Sequence, residues 1–554
     1  MKTQNSISKI SSNQELKKDI LSVSGDKAFE MILDSPTPTA LVQSFSEEDI
    51  YWLVQDLDPE NALSILSMAS NEQWRYIVDL QVWDRDRLNM DSVHSWFGRL
   101  LSADTERFLN WGLREESEVL YLYLFRNIEV RIKEEDQTSS DFEDTFFTLD
   151  DVFYIRILDE RYQEFLKNFL SRLAEYNFEL YQRILLNLGG ILPDALEEEG
   201  YRFRSTRLAE KGFLPFEEAI GIYQYLDSQA IARKECRAIK EAEPSSPVPA
   251  LTYSLPLLQE DNLFAAYLKE IGNADTLERL QTELAGLCNQ ILSADVQSFD
   301  DREVLRQSIQ KAGGYLTIGL ETLTKGDRAY GVQVLAKYPL NRIFRIGYGR
   351  VLEHKWRVEK WLKHAWFQGT GLDLSFWDES WERLLKGLLK KRPLFYAGLV
   401  EREYREFQSM DDITHCTTIL DQIEILDRLF DNLFANGLPP KEGVQDDLTW
   451  KSLLLTLWGR HELGLPLVMG PVTLEELKTF FRNLGMAGGK MAPLKEEIKT
   501  SFTDWVVRGS KLEIVTLNRL ANIFESLFDE LESEYRSVRT DDLDPRFIRL
   551  FWLS

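Results

Sequence analysis

SEEDIYWLVQDLDPENALSILSMASNEQWRYIVDLQ, residues 46–81, restarts one pattern every twelve residues. Ser46, Asp58 and Ser70 each stand where a side-chain oxygen can accept a hydrogen bond from the unpaired amides of a first helical turn. Acids follow inside each turn: Glu47 and Glu48, then Glu60, then Glu72. They sit at the positive end of the helix dipole. Pro59 lies just after its cap, where a missing N–H costs nothing. Four residues past each cap come Ile50, Ala62 and Trp74; seven past, Leu53, Ile65 and Ile77; eight past, Val54, Leu66 and Val78. That is the spacing of an amphipathic helix.

A single continuous helix fails on phase. Twelve residues at about 100° each rotate the apolar stripe by roughly 120° per repeat, so no face would stay buried. The reading is therefore three short helices, with the chain turning at each cap. Asn89 opens a related unit, with Val93, Trp96 and Phe97 at the same offsets. After Ser102 the register drifts: Leu109 fits, but Asn110 falls on the apolar face. Short helices that cannot bury a face alone stack on their neighbours, which predicts a superhelical array.

On these caps and stripes, residues 35–115 resemble the cytosolic N domain of MgtE-type magnesium transporters, and more distantly the helical repeats of the flagellar switch protein FliG. The resemblance implies a helical-repeat fold and a regulatory or interaction role. It carries over no magnesium-binding residue, because the sequence has no run approaching 18 apolar residues. The whole chain also resembles an uncharacterised bacterial family of standalone proteins, which implies no activity.

Composition sets outer bounds. The 554 residues are 44% hydrophobic, with 14 Trp and 31 Phe, enough for real cores. The net charge of −26 opposes general nucleic-acid binding. Cys236, Cys288 and Cys416 are far apart, and no CxxC pair exists. That fits a reducing cytoplasm and opposes a disulfide framework or a zinc ribbon. The start lacks a signal-peptide core. The expectation is a cytoplasmic protein with no transmembrane segment.

The expected organisation is mainly α, with a small β-hairpin insertion. Residues 1–25 form a flexible tail and 26–130 the short-helix array. Residues 131–240 hold an acidic loop, a hairpin at 145–157 and further helices. The hairpin is read from β-branched and aromatic residues flanking Asp150 and Asp151. Residues 241–259 carry Pro244, Pro247, Pro249 and Pro256, a linker by composition. A helical C-terminal region fills 260–554. Its tail, DDLDPRFIRLFWLS, is apolar enough that docking is expected.

Catalytic signatures are weak. GMAGGKM at 485–491 has GxxxGK spacing where a phosphate loop needs GxxxxGK, and Met491 replaces the magnesium-binding hydroxyl. His94, His354, His364, His415 and His461 form no close metal spacing. His415 and Cys416 are adjacent, so their side chains diverge on a helix. Ser452 and His461 lack a third partner. The acidic clusters lack the oxygen spacing and turn glycine of calcium loops. No catalytic residue, metal site or cofactor is assigned, and the balance leans against an enzyme.

Residues 342–392 stand apart, with twelve lysines and arginines against six acids. Five tryptophans are interleaved: Trp356, Trp361, Trp366, Trp377 and Trp381. On a helix, Arg350, His354, Arg357, Trp361 and His364 share one stripe, with Lys360 beside it. Cations beside an indole can hold a phosphate or an acidic peptide. The competing reading makes Trp361 a core residue and pairs the cations with the chain's own acids. The function expected is a non-enzymatic cytoplasmic scaffold or regulatory adaptor for protein partners. The alternative is an enzyme or ligand-binding protein using Arg350, His354, Arg357, Lys360, Trp361 and His364 for an anionic ligand.

Overall fold

The computed structural model describes residues 16–17, 19–21, 23–84, 86–190, 192–228, 262–295, 302–398, 403–434, 448–484, 496–536 and 538–554. Most of the expected tail, Cys236, the proline-rich linker and the 485–491 glycine loop lie outside the described residues. Helix dominates the described residues, and the strands are short antiparallel pairs, so the protein is mainly α with small β insertions. Two compact units divide the chain, Met1–Ile346 and Gly347–Ser554.

The first unit opens with α1 (Gly25–Leu33), α2 (Pro38–Ser44), α3 (Glu47–Asp56), α4 (Pro59–Met68) and α5 (Asn71–Gln81). The expected caps form. Ser46 accepts from the Asp49 amide at 3.0 Å, and Asp58 from the Glu60 and Asn61 amides at 3.0 and 3.1 Å. Ser70 and Gln73 close a reciprocal capping box. All nine stripe residues, from Ile50 to Val78, are buried. A two-strand turn, β1 (Trp83–Asp84) and β2 (Arg87–Leu88), leads to α6 (Met90–Ala103), capped by Asn89.

The drift after Ser102 has a simple cause. The next cap is Asp104, which accepts from the Arg107 amide at 3.1 Å and starts α7 (Thr105–Arg114). Counted from Asp104, the offsets return as buried Phe108, Trp111 and Gly112. Twelve residues later Glu116 takes the cap place before α8 (Ser117–Asn127), with Leu120, Tyr123 and Leu124 buried at the same three offsets. Glu116 alone of these places makes no side-chain cap bond. Alternate helices pack together, α2 on α4, α3 on α5 and α4 on α6, and sequence neighbours touch as well, among them α3 with α4 and α5 with α6.

After α8 the chain forms β3 (Ile128–Ile132), β4 (Phe146–Thr148) and β5 (Phe153–Ile157), ordered β3-β5-β4. The expected hairpin is β4–β5, with Phe147 opposite Ile155. Its turn is set by Asp150, whose carboxylate accepts from the Val152 and Phe153 amides, and by Asp151 at φ 56°. β3 adds a third strand at the head of the stretch expected to be an acidic loop. Helices α9 (Gln163–Tyr176), α10 (Phe178–Leu188) and α11 (Pro193–Glu210) follow, with α11 against α8. The unit then continues through α12 (Leu263–Glu270), α13 (Ala274–Asp295), α14 (Arg302–Thr324) and α15 (Arg328–Lys337).

Helix α16 (Leu340–Leu362) carries the division between the units. The second unit adds α17 (Trp366–Gly369), α18 (Glu379–Leu389), a β6–β7 pair (Phe395–Tyr396, Tyr404–Arg405) and α19 (Met410–Leu433). It ends with α20 (Trp450–Glu462), α21 (Leu474–Asn483), α22 (Glu496–Ser510) and α23 (Ala521–Tyr535). Buried Trp458 meets Phe480, Phe502 and Phe528 edge-on at the centre of these last helices. The apolar tail docks as expected. Leu550, Phe551 and Trp552 are buried, and the tail bonds to Val472 through the Trp552 carbonyl and the Ser554 amide.

Candidate functional site

The basic stripe forms as one face of α16, and its main members meet α19. Both helices run in the same direction here, so contacts step along them together. His354 Nε2 lies 2.8 Å from Thr417 Oγ1, and its Nδ1 lies 2.8 Å from the Arg350 carbonyl. One turn on, Arg357 donates to Glu424 at 2.8 and 3.0 Å and to Asp421 at 2.5 Å. A further turn on, Trp361 Nε1 donates to Asp427 at 3.1 Å.

Each member is committed inside the unit. His354 is buried, and that burial pulls its imidazole below the usual range. The Arg350 carbonyl can only accept, which puts the ring proton on Nδ1, and the Thr417 hydroxyl beside Nε2 also lies 2.8 Å from the Ile413 carbonyl. The Arg357 guanidinium is raised by its bonds to Glu424 and Asp421. Arg350 pairs with Glu353 on its own helix. Trp361 packs on Phe367 and Trp377.

Asp427 holds this joint together. Besides the Trp361 indole it accepts from the Trp366 and Phe367 amides at 3.1 and 3.3 Å, the open N-terminus of α17. Burial pushes its carboxyl upward despite those three donors. Lys360 and His364 are exposed and take no part. Three of the six residues expected to share a site, His354, Arg357 and Trp361, are therefore brought together in a helix–helix joint, with Arg350 beside them on α16. None of the six lines the two cavities of this unit described here, one of about 530 Å³ beside His461 and Trp505 and one of about 380 Å³ beside Trp381 and Trp450.

A second charged cluster lies in the first unit, where the sequence reading placed only caps and core. Asp79, Glu116 and Glu48 are all buried. Helix α11 brings cations to them. Arg207 grips Asp79 with two bonds, at 2.8 and 2.6 Å, and reaches Glu116 at 3.6 Å. Arg204 donates to the Asp79 carbonyl at 2.6 Å. Arg75 approaches Glu116 at 3.3 Å, and Glu116 Oε1 accepts no hydrogen bond. Desolvation, reinforced by Asp79, pushes Glu116 up to about 8 against the pull of Arg207 and Arg75. Glu48 rises to about 7 by burial, opposed by Lys211. The sequence signal was there: Glu116 stands twelve residues after Asp104, where the other units carry a short capping side chain.

Fold and contacts together define a mainly helical, two-unit protein whose most conspicuous charged side chains are turned onto one another. The chain belongs to DUF6178, a family of unknown function, whose model it matches over residues 5–554. No curated protein and no solved structure matches it.

Proposed function

We propose that this protein is a helical interaction scaffold, a non-enzymatic adaptor, and that a basic amphipathic segment of a protein partner docks on α9, α10 and the start of α11. The observation that carries this is four large apolar side chains left in solvent along 17 residues of the chain. Tyr176, Phe178, Leu186 and Leu192 are 43, 46, 59 and 75% exposed. Such density on a surface marks an interaction site. Five exposed acids flank them, Glu175, Glu179, Asp194, Glu198 and Glu199, against two exposed arginines, Arg183 and Arg172, the second paired with Glu175. An apolar surface rimmed by acids suits an amphipathic helix with basic flanks.

The likeness of residues 35–115 to the N domain of MgtE-type transporters belongs to this proposal. It adds a regulatory colour and a superhelical description of the α3–α8 array. No helix of the described residues is long and apolar enough to cross a membrane, so the transporter's own activity does not come with it. Arg357, His354 and Trp361 pair within the unit, which favours the scaffold reading over anion binding on α16.

The test is an affinity pull-down comparing wild type with a Phe178→Glu/Leu186→Glu/Leu192→Glu variant of unchanged circular dichroism. The expected result is a partner lost in the variant, weakened by salt, and replaced by a synthetic basic amphipathic segment of that partner. A partner set that survives all three substitutions refutes the docking surface.

A further inference from the structure

The smaller cavity of the second unit has the composition of a ligand site. Its floor is a pair of stacked indoles, Trp381 on Trp450, with ring centroids 5.5 Å apart and planes 6° from parallel. Trp450 is buried beneath, while the part-exposed ring of Trp381 lines the cavity. One wall is a stripe of α19 that includes Thr418 and Gln422. The other is a stripe of α23 that includes Asn522 and Ser526. At about 380 Å³ it falls within the range of small-molecule sites, roughly 300–1,000 Å³.

Charge limits what could enter. Lys451 is clamped between Asp378 at 3.0 Å and Glu530 at 2.8 Å. Burial lowers the affinity of its ammonium for a proton, but the two carboxylates outweigh that and hold it above its ordinary value. The triad sums to one negative charge, and its only cation is already paired. A phosphate or carboxylate would meet two acids, so an anion is disfavoured. The remaining polar groups are the His415 imidazole at the rim and a set of uncharged amides and hydroxyls. Among the described residues, the side chains of Gln422, Asn522 and Ser526 make no hydrogen bond to the protein, so their capacity is available to a ligand. Asp378 is held at φ 68°, a strained place for a non-glycine residue, where it both precedes α18 and reaches Lys451.

We infer that this cavity binds a neutral saccharide, with one pyranose ring laid on Trp381 and its hydroxyls bonded to Gln422, Asn522 and Ser526. The C–H bonds on one face of a pyranose carry partial positive charge and match the negative face of an indole. Sugar hydroxyls radiate around the ring, and the donors and acceptors here stand on both walls flanking the platform. A nucleobase, which concentrates its polar atoms along particular edges, fits that arrangement less well. The site is distinct from the proposed docking surface in the first unit and does not depend on it.

The test is isothermal titration of the full chain with a panel of neutral saccharides: glucose, galactose, mannose, N-acetylglucosamine, cellobiose and maltose. Adenosine and inorganic phosphate are run beside them. The expected result is saturable binding of at least one saccharide, weakened tenfold or more in Trp381→Ala and several-fold in Gln422→Ala/Asn522→Ala. The double variant touches no ring of the floor, so it remains informative should Trp381→Ala fail to fold. Arg508→Ala, at the larger cavity, leaves binding unchanged. The inference is overturned if no saccharide of the panel binds, if binding survives both variants, or if adenosine or phosphate binds in their place with the same dependence on Trp381.

Discussion

Replacing Glu116 by glutamine should stabilise the protein in alkali and leave it nearly unchanged in mild acid. Glu116 is a buried carboxyl beside buried Asp79, and its Oε1 accepts no hydrogen bond. It occupies a cap place without capping, so glutamine removes a charge and loses no cap. Unfolded, the group ionises near 4.5; folded, it holds its proton up to about 8. Between those values the native state binds a proton that the unfolded state has released. Stability therefore falls as pH rises through this window, and the penalty is complete above about 8. At about 1.4 kcal/mol per pKa unit the full penalty is on the order of 5 kcal/mol. Relaxation around a buried charge reduces it, which leaves about 2–4 kcal/mol for glutamine to recover. Urea unfolding at pH 5, 7 and 9 reads the difference, with hydrogen exchange in α5 and α8 isolating the first unit. The gain must grow from pH 5 to pH 9. An increment independent of pH, or a variant less stable than wild type at pH 9, refutes the reasoning.

Removing a cation of the same cluster has the opposite sign: Arg207→Ala leaves buried Asp79 without its two-bond partner and should cost about 3–5 kcal/mol in urea unfolding. His354 is held below its usual range by burial, so the unfolded state takes up the proton first and stability falls as pH drops below about 6.5; His354→Gln should flatten that acid limb in a pH series of thermal melts. Asp427→Ala leaves the Trp361 indole and two α17 amides without their acceptor and should lower stability by about 2–4 kcal/mol, with a change in tryptophan fluorescence from that region. Gly319→Ala places a methyl against the Ile343 carbonyl, a backbone group that cannot step aside, and should destabilise by more than about 1 kcal/mol in the same melts.

Local physics was legible in the sequence, and its long-range partners were not. Caps at Ser46, Asp58, Ser70 and Asn89 need only the next three residues, and each forms. The restart at Asp104 was missed because Ser102, two residues earlier, is an equally good cap by type. β3 was missed because it follows α8 directly and gains its identity from β5, about 25 residues on. The stripe of Arg350, His354, Arg357 and Trp361 was read correctly as one face. What it faces, Thr417, Asp421, Glu424 and Asp427, lies more than 60 residues away, and no spacing rule names such a partner. The Trp381 cavity is assembled from four separated stretches, and in the sequence its polar residues look like ordinary solvent-facing positions of amphipathic helices.

The skip-one packing of α2 to α6 gives the array a parity. Its helices fall into two interleaved rows, one holding α2, α4 and α6, the other α3 and α5. Excising a single twelve-residue unit would move every later helix into the wrong row and set each apolar stripe against a partner it does not fit. Excising residues 46–69, two units, hands α2 directly to α6 and keeps every later helix in its own row. Length changes in this region should therefore be tolerated in steps of twenty-four residues and rejected in steps of twelve, an even–odd rule written into the chain by nothing more than where its caps fall.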